Sequence, residues 1–348
     1  MASNAKKWPS REGFTADVLG KLISRTLLDP WKILPILALA QYTAQGREYM
    51  QQHPYLDKIL KVLAAQAAIS RLSHWLDRRT LNNRVSDHYN WNREVVILTG
   101  GSNGIGRRIA QQLGERDIKV AILDIVPPPT DDILPNSVRF YECDITSPSD
   151  ITEVATKVRA SLGRPTILIN NAGILTGQTI LKTTVATTRR MFEVNALAHY
   201  WLAQEFLPDM IEANHGMVVT VASQAGYTVT PNMVDYSASK AAAIAFHEGL
   251  GAELVTRYQA PKVRTVLVTQ GFTRTTLIKN LTPDDTWINP LLHPETVAEE
   301  TVRQVLKGES GHVVVPGSAG WISTSFRGFP LWMQHSLRCQ LEKLMRAG

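Results

Sequence analysis

From residue 94 onward, short apolar runs alternate with stretches whose apolar positions fall three and four apart. The runs at 94–99, 118–123, 137–142, 165–169, 216–222, 262–268 and 312–315 predict seven strands with helices between them. This alternation predicts an α/β, doubly wound fold: a seven-stranded, mostly parallel sheet with helices on both faces and ligands at the strands' C-terminal ends. Polar residues do follow the strands, at Asp124, Asp144, Asn170 to Gly173, Ser223 and Gln270 to Thr275.

The pattern before residue 92 is different. Residues 27–44 hold an apolar segment too short and too interrupted for a span of about 20 apolar residues. Residues 55–79 place Leu56, Ile59, Leu60, Leu63, Ala67, Leu72, Trp75 and Leu76 near one helical face, and Lys58, Lys61, Arg71, Arg78 and Arg79 supply positive charge. Such a helix suits a membrane surface, and equally a cap on the catalytic domain or on a dimer partner. Trp8, Trp31, Trp75 and Trp91, with Trp321 and Trp332 near the C-terminus, favour an interface. The pattern therefore divides the chain into a helical, basic and apolar extension (1–91), a catalytic domain (92–316) and an aromatic, basic tail (317–348).

Composition narrows the chemistry. With 348 residues, 44% hydrophobic and 20% charged, the chain is of ordinary globular type. The net charge of +6 sits in residues 1–90, which carry 13 Lys and Arg against 7 Asp and Glu; the remainder balances at 24 and 24. A neutral catalytic region without a recognised motif excludes nucleic acid as a partner. The two cysteines, Cys143 and Cys339, are too few for a disulfide framework or a zinc site, so no metal is expected. Neither a secretory signal nor the common lipidation signals are expected at the termini.

Thr99-Gly100-Gly101-Ser102-Asn103-Gly104-Ile105-Gly106 joins the first strand to a helix. It is either an ordinary tight turn or, with its backbone N–H groups and a helix N-terminus gathered at one point, a phosphate cradle. Asp124 ends the second strand about 20 residues further on, where a carboxylate accepts hydrogen bonds from the adenosine ribose and repels a 2′-phosphate. That favours NAD(H) over NADP(H), as does the absence of a basic residue at Asn103 and Ile125. Arg107 and Arg108 leave NADP(H) open unless they are solvated surface. Asp144 suits an adenine amino group or a turn cap, and Asn171, Ala172 and Gly173 either let backbone approach a cofactor or form an Asx turn. Tyr236 and Lys240, four apart, share one helical face, so the ammonium is expected to lower the phenol's pKa from about 10 toward the range of a general acid or base.

The glycine turn, Asn170-Asn171-Ala172-Gly173, Ser223 and Tyr236-Ser-Ala-Ser-Lys240, in this order and spacing, resemble the short-chain dehydrogenase/reductase family over roughly residues 92–316. The resemblance implies a Rossmann fold of the single-domain type. It implies that Tyr236 exchanges a proton with the substrate oxygen while Lys240 holds the nicotinamide ribose and tunes Tyr236. Ser223 would then bind the substrate oxygen, Asn195 would hold a water that relays protons to Lys240, and Thr275 would bind the nicotinamide carboxamide. Gln270-Gly271 stands where the family usually has Pro-Gly. Residues 276–300, with Leu277, Ile278, Leu281, Trp287, Ile288, Leu291 and Leu292, would form a substrate lid or a packed loop.

The apolar flanks are similar in layout to membrane-associated retinol and hydroxysteroid dehydrogenases. The expected activity is a dehydrogenase or reductase for a lipophilic small-molecule alcohol or ketone of retinoid, steroid, fatty or polyketide-like kind. The expected place is the cytosolic face of an intracellular membrane, endoplasmic reticulum or lipid droplet. A soluble cytoplasmic enzyme whose flanks form a homodimer, and a cofactor-binding scaffold or regulator without turnover, are the alternatives.

Overall fold

The computed structural model describes residues 10–130, 133–279, 281–283, 285–341 and 345–347; Trp8 and the side chain of Leu281 lie outside that description. The chain forms two compact units, Met1–Arg84 and Val85–Gly348.

In the first unit lie α1 (Ala16–Arg25), α2 (Pro30–Tyr42), α3 (Ala44–Gln52) and α4 (Pro54–Leu81). Asp29 accepts a hydrogen bond from the Trp31 N–H, and Pro30 takes the first helical position, so α2 starts there. Thr43 caps α3 through the Gly46 N–H. The small core joins Ile33 and Leu37 of α2 to Leu60, Leu63, Ala64 and Ala67 of α4. This corrects the expected face of α4. Its buried seam is the 60–63–64–67 stripe, where two alanines admit a neighbouring helix, while Leu56, Ile59, Leu72, Trp75 and Leu76 stay exposed. Among the described residues no helix is long and apolar enough to cross a membrane.

The second unit is built on a sheet whose strands, every adjacent pair parallel, run in the order Val138–Glu142, Lys119–Asp124, Val95–Thr99, Ile167–Asn170, Gly216–Val221, Val263–Gln270, Gly311–Val315. Its strands are β1 (Val95–Thr99), β2 (Lys119–Asp124), β3 (Val138–Glu142), β4 (Ile167–Asn170), β5 (Gly216–Val221), β6 (Val263–Gln270) and β8 (Gly311–Val315). Its helices are α5 (Gly104–Gly114), α6 (Pro148–Ser161), α7 (Val185–Phe192), α8 (Ala198–Ala213), α9 (Val234–Thr256), α10 (Pro294–Leu306), α11 (Gly317–Ser325) and α12 (Leu331–Gln340). A short antiparallel pair, β7 (Leu281–Pro283) with β9 (Met345–Ala347), stands apart from the sheet.

All five residues of β1 are buried, as a strand covered on both faces requires. Its side chains alternate between two cores. Val95 and Ile97 pack with Ile151, Val158 and Phe206 of α6 and α8, and Val96 and Leu98 pack with Ile109 and Leu113 of α5 and Val297 of α10. The chain reverses its direction of travel across the sheet between β1 and β4, so a crevice opens beyond their C-terminal ends.

Residues 85–91 belong to this unit rather than to the extension. Tyr89 stacks on Trp91 with ring centroids 5.2 Å apart, and its hydroxyl donates to the Gly216 carbonyl at 2.6 Å. The tail belongs here too. Phe326 is buried and the Arg327 guanidinium donates to the Gly226 carbonyl at 3.0 Å, whereas Trp321 and Trp332 remain exposed.

Candidate active site

Thr99 ends β1 with its Oγ1 accepting from the N–H groups of Asn171 and Ala172, both at 3.0 Å. The Asn171 carboxamide donates back to the carbonyls of Thr99 and Gly100, again at 3.0 Å. The glycine turn and the asparagine turn are thus one object, which neither segment shows alone. Gly100 has φ +65°, and a Cβ there would lie 2.7 Å from Ala172 Cα. A Cβ on Gly106 would collide with the Gly100 carbonyl and Asn171 Nδ2. Asn103 begins α5 without a side-chain cap, so the first-turn N–H groups face outward, and Ser102 Oγ is buried without a partner among the described residues. Gly100, Asn103, Gly104, Ile105 and Gly106 line a cavity of about 600 Å³ with Asp124, Asp144, Asn171, Ala172 and Gly173. Such a glycine cradle, with unpaired donors at a helix N-terminus, fits a dinucleotide pyrophosphate.

In the same cavity, Asp124 accepts from the Ser102 N–H at 3.1 Å and the Val126 N–H at 3.3 Å. Asp144 accepts from the Thr146 N–H at 2.9 Å and forms an ion pair with Arg190 at 3.1 Å. Burial pushes its carboxyl up, but the hydrogen bonds from Thr146 and Arg190 outweigh burial and hold it below the usual range. Arg190 carried no signal in the sequence, because 46 residues separate it from Asp144. Arg107 is buried rather than solvated, and donates to the Pro129 carbonyl at 3.5 Å; Arg108 is paired with Glu295 at 2.9 Å. Of the two asparagines, Asn171 alone ties strands together, since the buried Asn170 carboxamide meets no partner among the described residues.

Tyr236 and Lys240 lie one turn apart on α9, buried, with Lys240 Nζ 5.9 Å from the centre of the Tyr236 ring. Nζ donates to the Val221 carbonyl at 2.9 Å. Contrary to the expected lowering, burial pushes the Tyr236 phenol up to about 12, although its hydrogen bond with Ser223 works the other way. The ammonium is itself desolvated, which brings Lys240 down to about 8. Ser223 accepts from the Ala225 N–H at 3.1 Å and donates to the Gln270 carbonyl at 3.4 Å.

Asn195 stands on a π-helical turn, Glu193–Leu197, between α7 and α8. Its Oδ1 accepts from the Ile174 N–H at 2.9 Å, and its Nδ2 donates to the Ile174 carbonyl and Ser239 Oγ, both at 3.0 Å. Ser239 in turn donates to the Tyr236 carbonyl at 2.7 Å. The Asn195 side chain therefore fastens the loop after β4 to α9. Gly173 sits under this group, where a Cβ would be 3.4 Å from both Asn195 Oδ1 and Lys240 Nζ.

A second cavity, of about 110 Å³, adjoins the first; Tyr236, Ile105, Thr275 and Gln270 line both. Ser223 also faces it, and of the 276–300 segment Leu277 and Ile278 do, whereas Leu292 belongs to the sheet core and Trp287 and Ile288 are exposed. Thr275 Oγ1 donates to the Thr273 carbonyl at 3.3 Å and its Cγ2 lies beside Gly104, joining the lid's base to the cradle.

A family model described as short chain dehydrogenase matches residues 94–286. Dehydrogenase RED2 of Cochliobolus heterostrophus is 47% identical over 201 residues, which are 58% of this chain and 76% of that protein. Estradiol 17-beta-dehydrogenase 11 of Rattus norvegicus is 35% identical over 243 residues, covering 68% of this chain and 80% of the relative. Among solved structures, a ligand-free aldohexose dehydrogenase of Thermoplasma acidophilum superposes with a TM-score of 0.55 at 23% identity, over 65% of this chain and 94% of its own. At that identity the likeness concerns the fold.

Proposed function

Since the chain belongs to the short-chain dehydrogenase/reductase family, an oxidoreductase family, we propose that it interconverts a lipophilic alcohol and its ketone or aldehyde with NAD(H). The observation that carries this reading is the buried Tyr236, Ser223 and Lys240 group where the two cavities meet. NAD(H), when bound, supplies the couple that takes hydride from the substrate carbon or returns it.

The cradle from Gly100 to Gly106 would hold the pyrophosphate, Asp124 the adenosine ribose, and Asn171 to Gly173 the edge of the site toward the nicotinamide. Asp144 and Thr275 face the same cavity and are the expected contacts at its adenine and carboxamide ends. Ser223 holds the substrate oxygen beside Tyr236. A phenol raised to about 12 keeps its proton at neutral pH and is ready to donate it to a carbonyl oxygen. In the opposite direction it must take up a proton, and the hydrogen bond with Ser223, which works against burial, favours the phenolate that does so. Leu277 and Ile278 keep water from the reacting atoms.

Replacing Tyr236 with Phe removes the proton and keeps the ring. Turnover should fall by at least about 100-fold, with NADH affinity by fluorescence titration unchanged. Full turnover in Tyr236→Phe sinks the mechanism. The exposed apolar residues of α2 and α4, among them Trp31 and Leu39, support attachment to a membrane or lipid-droplet surface.

A further inference from the structure

The cavity beside Tyr236 is not lined by apolar groups alone, for three carboxamides, Gln224, Gln270 and Asn289, share its wall, and Gln224 is engaged with the Val315 and Pro316 carbonyls. Gln270 ends β6 with its side chain buried, and its Nε2 donates to the Ala222 carbonyl at 3.3 Å. That bond settles which way the amide is turned, because the reverse orientation would set two oxygens against each other. Oε1 is left buried with no donor among the described residues. Asn289 Oδ1 is in the same condition and lies against Gly271, where a Cβ would come within 3.3 Å of it.

A buried acceptor without a donor is costly, and Gln270 Oε1, whose amide cannot turn, calls for a ligand that brings the proton. The reacting oxygen is not that ligand group, since Tyr236 and Ser223 already serve it. The dinucleotide is a poor match as well: Gln270 reaches the larger cavity, but Asn289 lines only the smaller one. Resting on the alcohol–ketone activity above, we propose that Gln270 and Asn289 recognise a second hydroxyl of the substrate, which gives its one proton to Gln270 Oε1 and accepts from the Asn289 amide turned to present Nδ2, so that the preferred substrates are diols and hydroxyketones. The departure from Pro-Gly at Gln270-Gly271 then has a use, because proline offers no such acceptor.

The test compares kcat/KM with NAD for cyclohexanol and for cyclohexanediols whose second hydroxyl is on the adjacent or the next carbon. One of the diols should be preferred to cyclohexanol by about tenfold or more. Gln270→Met, and independently Asn289→Leu should the first variant fail to fold, should collapse that ratio, mainly through KM. NADH affinity is titrated alongside. Turnover of cyclohexanol as fast as of both diols overturns the proposal and leaves the dehydrogenase reading standing. A Gln270→Met variant that keeps the ratio but binds NADH more weakly also overturns it, assigning the amide to the nucleotide. Oxidation of none of these alcohols overturns the diol proposal, and the dehydrogenase reading is then judged by the Tyr236→Phe comparison on a lipophilic alcohol.

Discussion

Asp124 shows how much one residue can carry. Its position at the end of β2 is a sequence fact, and the structure adds that the carboxylate is tied to the Ser102 N–H at 3.1 Å, inside the glycine turn. A charge held there repels a 2′-phosphate at short range. The wild-type protein should therefore use NADH at least about tenfold better than NADPH, and Asp124→Ser should narrow that ratio; a native preference for NADPH would refute the argument. Other residues at the site were legible in type but not in contact. Tyr236 and Lys240 are recognisable from their spacing, yet the direction of the phenol's shift depends on burial, which spacing does not report. Arg190, Ser239 and the Gln270 acceptor acquire meaning only from partners 40 or more residues away.

Among the elements, the strands are the most readable, because a parallel strand buried on both faces is a nearly continuous apolar run. All seven expected strands are present in one parallel sheet. Less readable was the segment that leads into β1. His215, at the turn between α8 and β5, contacts Asp87 at 2.7 Å and the buried Glu94 at 3.3 Å, and Glu94 also accepts from Thr166 Oγ1 at 2.6 Å. Hydrogen bonding to Glu94 and to Asp87 raises His215 to about 9. Because the folded value lies above the unfolded one, the clamp's stability is fully present below about pH 6.5 and is lost as the pH rises through about 9. Partial exposure screens the clamp, so His215→Gln should cost about 1 kcal/mol near neutrality, or about 2–4 °C in Tm. The gap between variant and wild type should close in thermal melts above pH 10; a gap that stays constant with pH would show that the clamp does not titrate.

At the scale of the whole molecule, the first unit has a small core and many exposed apolar side chains, with Trp31 80% and Trp75 51% exposed. If these contact lipid, the full-length protein should float with anionic phospholipid vesicles. Trp31→Ser with Trp75→Ser should leave a larger share unbound at the same Tm. Equal flotation of variant and wild type, or a concentration-dependent dimer that these substitutions dissolve, would point instead to a protein partner.

By itself the sequence determined the α/β class, the strand positions, the glycine turn and the one-turn spacing of Tyr236 and Lys240, since periodicity and short-range spacing are local properties of a chain. Only the tertiary structure decided which face of α4 is buried, where the extension ends, that the Tyr236 phenol is raised, and that two acceptors in the cavity beside it lack donors among the described residues. Each of these depends on desolvation or on a hydrogen-bond partner distant in sequence, and both exist only once the chain has packed.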